Sequence, residues 1–192
     1  METRKQALLD QVIAYLVEHG VADLSLRPMA KQIGTSARML VFHFESKQQL
    51  IADVFVEMQA RLRASLARLR LDPPPRDARS LLRAFWDWAT SPENMGHLRL
   101  QYQLQVLAAH NPDVYARYLQ PSAAAWVEVV VAALPPRDRD PVFATLIIAV
   151  FDGLFLELMS TGDLARTGRA MDCFIARARK RRPAGRRRRS SP

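Results

Sequence analysis

The sequence predicts an all-α chain of about nine helices, arranged as a small module of short helices followed by a larger helical bundle. Three observations lead there. Ala, Leu and Arg are abundant while only seven of 192 residues are Gly, a composition that favours helices. No Asn-Gly or Asp-Gly pair separates alternating strands, and Asp152-Gly153 falls inside an apolar helical run. Gly and Pro clusters cut the chain into segments whose apolar residues recur at helical spacing. At 49% hydrophobic residues the chain can bury a sizeable core.

The first helix is expected to open on a Thr3/Gln6 capping box and to stop at Gly20, with Leu9, Val12, Ile13 and Leu16 as its buried stripe. Ser25 caps a second, short helix that ends at Gly34, with Pro28 tolerated in its first turn. Ser36 caps a third that runs to about Phe44. Ser46 caps a fourth, whose apolar positions Leu50, Val54, Met58, Leu62 and Leu66 lead to the Pro73–Pro75 linker. Beyond it lie helical segments broken at Ser91-Pro92, Asn111-Pro112, Pro135-Pro136 and Thr161-Gly162, with Pro121 a candidate kink.

The net charge of +9 is misleading as a clue to function. Residues 177–192 hold eight Arg and Lys180 with no acid, so the preceding 176 residues are balanced. The tail at 181–192 is expected to stay disordered, either adding salt-dependent phosphate attraction or serving no role. A single cysteine, Cys173, excludes an intramolecular disulfide and a Cys-based zinc site. The first residues lack the apolar stretch of a signal peptide. The most apolar segment, 142–159, carries Asp152 and Glu157, which are costly in lipid, so a cytoplasmic protein without a membrane partner is expected.

Two short helices joined by a Gly turn, with a longer helix before them, have the geometry of a helix-turn-helix at about 25–44. An ordinary helical core fits the same periodicity. With Ala37, Leu40, Val41 and Phe44 facing inward, Arg38, Met39, Phe42 and His43 are left outward or at the edge. An outward Arg can read guanine, and Met or Phe can pack on thymine methyls. Ser36 and Lys47 suit phosphates, one at a helix N-terminus and one as a point charge.

The stretch "LSLRPMAKQIGTSARMLVFHFESKQQLI", residues 24–51, resembles the DNA-binding region of TetR-family transcriptional regulators. The resemblance rests on Ser25, Ala30, the Gly34-x-Ser36 turn, the aromatic "VFHF" at 41–44, and Ser46-Lys47 with Leu50. It implies a DNA-binding domain at 1–48, an effector-binding and dimerisation domain at 49–180, and a ligand-responsive repressor. It also implies that Arg27, Ala37, Arg38, Met39, Phe42 and His43 approach DNA, with Lys47 on a phosphate. Val41 departs from the pattern: the family's usual Tyr would reach the backbone there, and Val has no hydroxyl to do so.

In the larger module, residues 141–160 are apolar nearly all round, more than one small bundle can bury. With the following helix they predict a homodimer interface at Ile147, Phe151, Leu154, Leu158, Leu164, Met171 and Ile175. Two recognition helices related by a two-fold axis would suit a pseudo-palindromic operator on double-stranded DNA. The middle helices mix aromatics with Gln and His, as a small-molecule pocket requires, although aromatics at this spacing also make ordinary core. The resemblance implies that the pocket holds an inducer, a small and largely apolar or aromatic effector. Trp88, Tyr102, Gln105 and Trp126 are the candidate lining. Asp152 needs a hydrogen-bond partner, expected at a helix terminus or across the dimer.

No Gly-rich phosphate loop, Gly-x-Ser-x-Gly or His-Glu-x-x-His motif occurs and the four His are scattered, so neither enzymatic activity, a metal nor a cofactor is expected. A ligand-independent DNA-binding or architectural protein is the alternative, and it would leave the aromatic region fully packed.

Overall fold

A computed structural model describes residues 2–68 and 77–178; the Pro73–Pro75 linker and the Arg-rich tail at 181–192 lie outside them. The described residues form nine α-helices, one 3-10 turn at Pro136–Asp138 and no strand: α1 Glu2–His19, α2 Leu26–Gln32, α3 Ala37–Phe44, α4 Lys47–Arg68, α5 Ala78–Ala89, α6 Pro92–His110, α7 Pro112–Ala133, α8 Pro141–Thr161 and α9 Leu164–Ala178.

Local chemistry sets most of these boundaries. Ser36 accepts a hydrogen bond from the Met39 amide at 3.2 Å, and Ser46 accepts one from Gln49 at 3.0 Å, so the two serines start α3 and α4. Asp77 and Asp140 do the same for α5 and α8, each accepting from a first-turn amide at 2.9 Å. Pro92, Pro112 and Pro141 occupy first positions, where no amide is needed. Gly34, at φ 74°, makes the left-handed step between α2 and α3.

Two expected helix caps change. Thr3 lies inside α1, which starts at Glu2, instead of capping it. Ser25 has the extended backbone of an N-cap but makes no side-chain cap bond. Pro121 sits within α7, and the helix continues through it.

Two cores organise the chain. The first joins Val12, Ile13 and Leu16 of α1, Met29 of α2, Leu40 and Phe44 of α3 and Val54 and Met58 of α4 to Leu100 and Leu104 of α6. The second gathers Trp86 of α5, Leu134 at the end of α7, Ile147, Phe151 and Phe155 of α8, and Met171 and Ile175 of α9. Trp86 stacks on Phe155 with centroids 5.1 Å apart. Each large side chain so enclosed contributes about 1.5–3 kcal/mol.

The two cores share elements. Helix α4 gives Leu50–Met58 positions to the first and Leu62 to the second, while α6 gives Leu100 and Leu104 to the first and Leu98 to the second. The first core therefore reaches well past the expected boundary at residue 48. Charged contacts reinforce it: Arg61 of α4 pairs with both Asp10 of α1 and Glu57, and Lys5 meets Asp53 at 2.9 Å.

A candidate DNA-reading surface and a ligand cavity

Helix α3 turns one narrow stripe inward. Leu40 and Phe44 are each 1% exposed and close the first core. Arg27, Ser36, Arg38 and Lys47 are exposed, and Ala37, Met39 and His43 are half-buried at the edge. Phe42 is 66% exposed, an unusual position for a large aromatic unless another surface covers it.

Val41 corrects the expected inward set, because it is 44% exposed. An eight-residue helix has room for one i, i+4 pair against the core, and Leu40 and Phe44 fill it. Val41 and Phe42 thus form an apolar step beside Arg38.

Two further features fix this surface. The His43 ring stands edge-on to Phe42 at 5.2 Å, and its Nε2 is buried with no hydrogen-bond partner. Glu45 has φ 65° and ψ −46°, and the Ser46 amide donates to the Phe44 carbonyl at 2.7 Å, which together make a γ-turn. That turn is strained for a residue with a Cβ, and it sets the angle at which α3 leaves α4. The Lys47 ammonium, expected on a phosphate, donates to the Leu24 carbonyl at the end of the α1–α2 turn.

In the bundle, α4 to α8 enclose a cavity of about 540 Å³. All four expected residues line it: Trp88 from α5, Tyr102 and Gln105 from α6, and Trp126 from α7. Gln105, Ala109 and Ala123 are lining residues exposed to solvent, which puts the mouth between α6 and α7. Phe85 stacks on Trp88 at 5.6 Å and tilts against Phe151 at 4.8 Å, giving one wall a broad aromatic face.

The polar groups are few. Tyr102 donates its hydroxyl to Asp152 Oδ1 at 2.8 Å. Trp126 Nε1 donates to Gln59 Oε1, and Gln101, 6% exposed, has an Oε1 with no partner. Burial pushes the Asp152 carboxyl above the usual carboxylate range, and the Tyr102 hydrogen bond only partly opposes this. Burial, and then the neighbouring carboxylate, raise the Tyr102 phenol far above its ordinary value, so it stays a donor.

Sequence reasoning missed part of this site. Asp152 finds its partner on α6 of its own chain, not at a helix end or across a dimer. Phe55, Gln59 and Leu62 arrive from α4, outside the expected lining. The lone acid in an apolar helix was the available signal. Trp86, Tyr115 and Tyr118 belong to the two cores.

The expected dimer residues also move. Ile147, Phe151, Leu158, Met171 and Ile175 are buried inside the single chain, and Ile147 and Phe151 line the cavity. Leu154 is half-buried, and Leu164 is 48% exposed. Because α8 is apolar all round, its sequence does not say which face turns inward; the aromatics took the core. The opposite face, Val142, Leu146, Ala149, Gly153 and Leu156, remains exposed at spacings of four and three. Among the described residues no group of His, Cys, Asp and Glu could hold a metal ion.

Comparison with known proteins agrees with this layout. Residues 8–54 match the family model described as bacterial regulatory proteins, tetR family. The crystal structure of multidrug binding protein EbrR complexed with imidazole is 27% identical, covers 92% of this chain and 90% of its own, and superposes with a TM-score of 0.66. A member of the TetR family from Streptomyces coelicolor A3 is 25% identical, with 91% and 96% covered and a TM-score of 0.68. A putative TetR-family regulator from Rhodococcus sp., 20% identical over 93% of this chain and 98% of its own, shares the fold at a TM-score of 0.69. No curated protein matches the chain.

Proposed function

We propose that this TetR-family transcriptional regulator binds a pseudo-palindromic operator as a homodimer and releases it when a small, largely aromatic effector enters the cavity. The carrying observation is that α4 and α6 each belong to both cores. Along α4, Leu50 to Met58 pack under the helix-turn-helix, while Phe55, Gln59 and Leu62 line the cavity. Along α6, Tyr102 and Gln105 line the cavity, while Gln103 Oε1 between them accepts from the Val21 amide at 3.2 Å. A ligand that prefers one setting of these helices therefore biases the placement of α3.

In this reading Arg38 reads guanine, Met39 and Phe42 meet thymine methyls, and Arg27, Ser36, Ala37 and His43 complete the approach to the duplex. Lys47 reaches a phosphate by exchanging it for the Leu24 carbonyl. The exposed apolar face of α8, with Leu164 of α9, supplies the two-fold contact that spaces two α3 helices on successive turns of the groove. DNA as partner places the protein in the cytoplasm. The similarity to a multidrug binding protein supports an effector role for the cavity. A ligand-independent DNA-binding or architectural protein would have closed that space.

Selection from a random DNA pool tests the reading. Enrichment of a two-fold symmetric motif is expected; no enrichment would remove the claim of sequence-specific binding.

A further inference from the structure

We propose that the cavity selects a positively charged, planar aromatic ligand, with Asp152 as its counter-ion. The inference rests on the reading of the cavity as an effector site and adds the charge of the effector. Among the described residues no Lys, Arg or His lines the cavity, and Asp152 is the one acid on its wall. A carboxylate can accept about four hydrogen bonds, and Asp152 receives one, from a neutral phenol. The adjacent residue to that phenol, Gln101, adds a buried oxygen without a partner. Two acceptors short of donors, with no cation among the described wall residues, call for a ligand that donates and carries positive charge.

The remaining walls suit the same ligand. The stacked Phe85–Trp88 pair and the Tyr102 ring present faces whose negative quadrupole attracts a flat cation. A neutral aromatic would fill the space but bury Asp152 further with nothing gained in return. An anion would meet the carboxylate as a like charge.

The test uses the full chain without DNA and two probes of one shape: 9-aminoacridine, a cation at neutral pH, and acridine, which is neutral there. Calorimetric titration is expected to show the cation bound at least about tenfold more tightly, the share of one charge-assisted contact in a buried site. Asp152→Asn keeps the acceptor for Tyr102 and should erase the preference; Asp152→Glu should retain it. Equal affinities in the wild type, a preference that survives Asp152→Asn, or no binding of either probe overturns the inference. A protein that enriches a symmetric DNA motif yet binds both probes equally loses only the charge selection. One that prefers the cation but enriches no DNA loses only the regulator reading.

Discussion

The helix-turn-helix and the cavity are built from opposite kinds of information. The first places most of its candidate residues on one short helix, and neighbours in sequence define it: Ser36 and Ser46 cap, Gly34 turns, and Leu40 and Phe44 anchor. The cavity draws several residues from each of α4 to α8, with partners as distant in the chain as Tyr102 from Asp152 and Gln59 from Trp126. One site shows its chemistry outward and packs behind; the other shows its chemistry inward and must keep a space open. Local rules specify the first kind of site, and tertiary packing specifies the second.

The adjacent residues Phe42 and Phe44 give the sharpest way to break that contrast, at 66% and 1% exposed. Phe44→Ala opens a hole between α1, α3 and α4 and is expected to cost about 3–5 kcal/mol. Phe42→Ala should stay within about 0.5 kcal/mol in stability while weakening operator binding and leaving ligand affinity unchanged. Thermal melts and DNA titrations of the two variants check this. Equal losses of stability would mean that α3 has no outward face.

What the sequence could tell follows the same division. The caps and breaks were legible because each depends on residues within a few positions, and so was the match of 24–51 to a known pattern. Trp88, Tyr102, Gln105 and Trp126 were legible as polar-tipped groups among aromatics. The orientation of α8 was not, because a helix apolar on every side reads the same whichever face is turned inward; hence Ile147 and Phe151 were assigned to a partner that they do not face here. Val41 failed for a related reason: an eight-residue helix offers too few turns for its periodicity to choose between two neighbouring positions.

The seam between the two regions offers a smaller effect. A Cβ on Gly96 of α6 would stand 2.9 Å from Val17 Cγ1 of α1, so the Val17 side chain or the spacing of the two helices must give way. Gly96→Ala is expected to cost about 1–3 kcal/mol through this overpacking and to blunt the effect of ligand on operator affinity, since it wedges α6 from the helix-turn-helix. The readout is the ratio of operator affinities with and without a bound effector. A ratio as large as in the wild type would show that α6 does not carry the signal at this point, leaving α4 as the link.

The last contrast is electrostatic and the smallest in ligand-free protein. Asp152 sits with Tyr102 in an apolar wall, and burial raises its folded-state pKa above the unfolded value of about 3.9. The folded protein therefore holds that proton more readily than the unfolded chain does. The stability this provides is complete below the unfolded pKa and is lost as pH rises through the folded one. Asp152→Asn has no such loss, so the variant should melt above the wild type at neutral pH, and the gap should close as pH falls toward about 4. A gap for Asp152→Asn that is constant with pH, or reversed in sign, would mean that the carboxylate is already compensated in the empty cavity. A cavity of that kind would have no electrostatic reason to prefer a cation, and the charge of its ligand would have to come from shape alone.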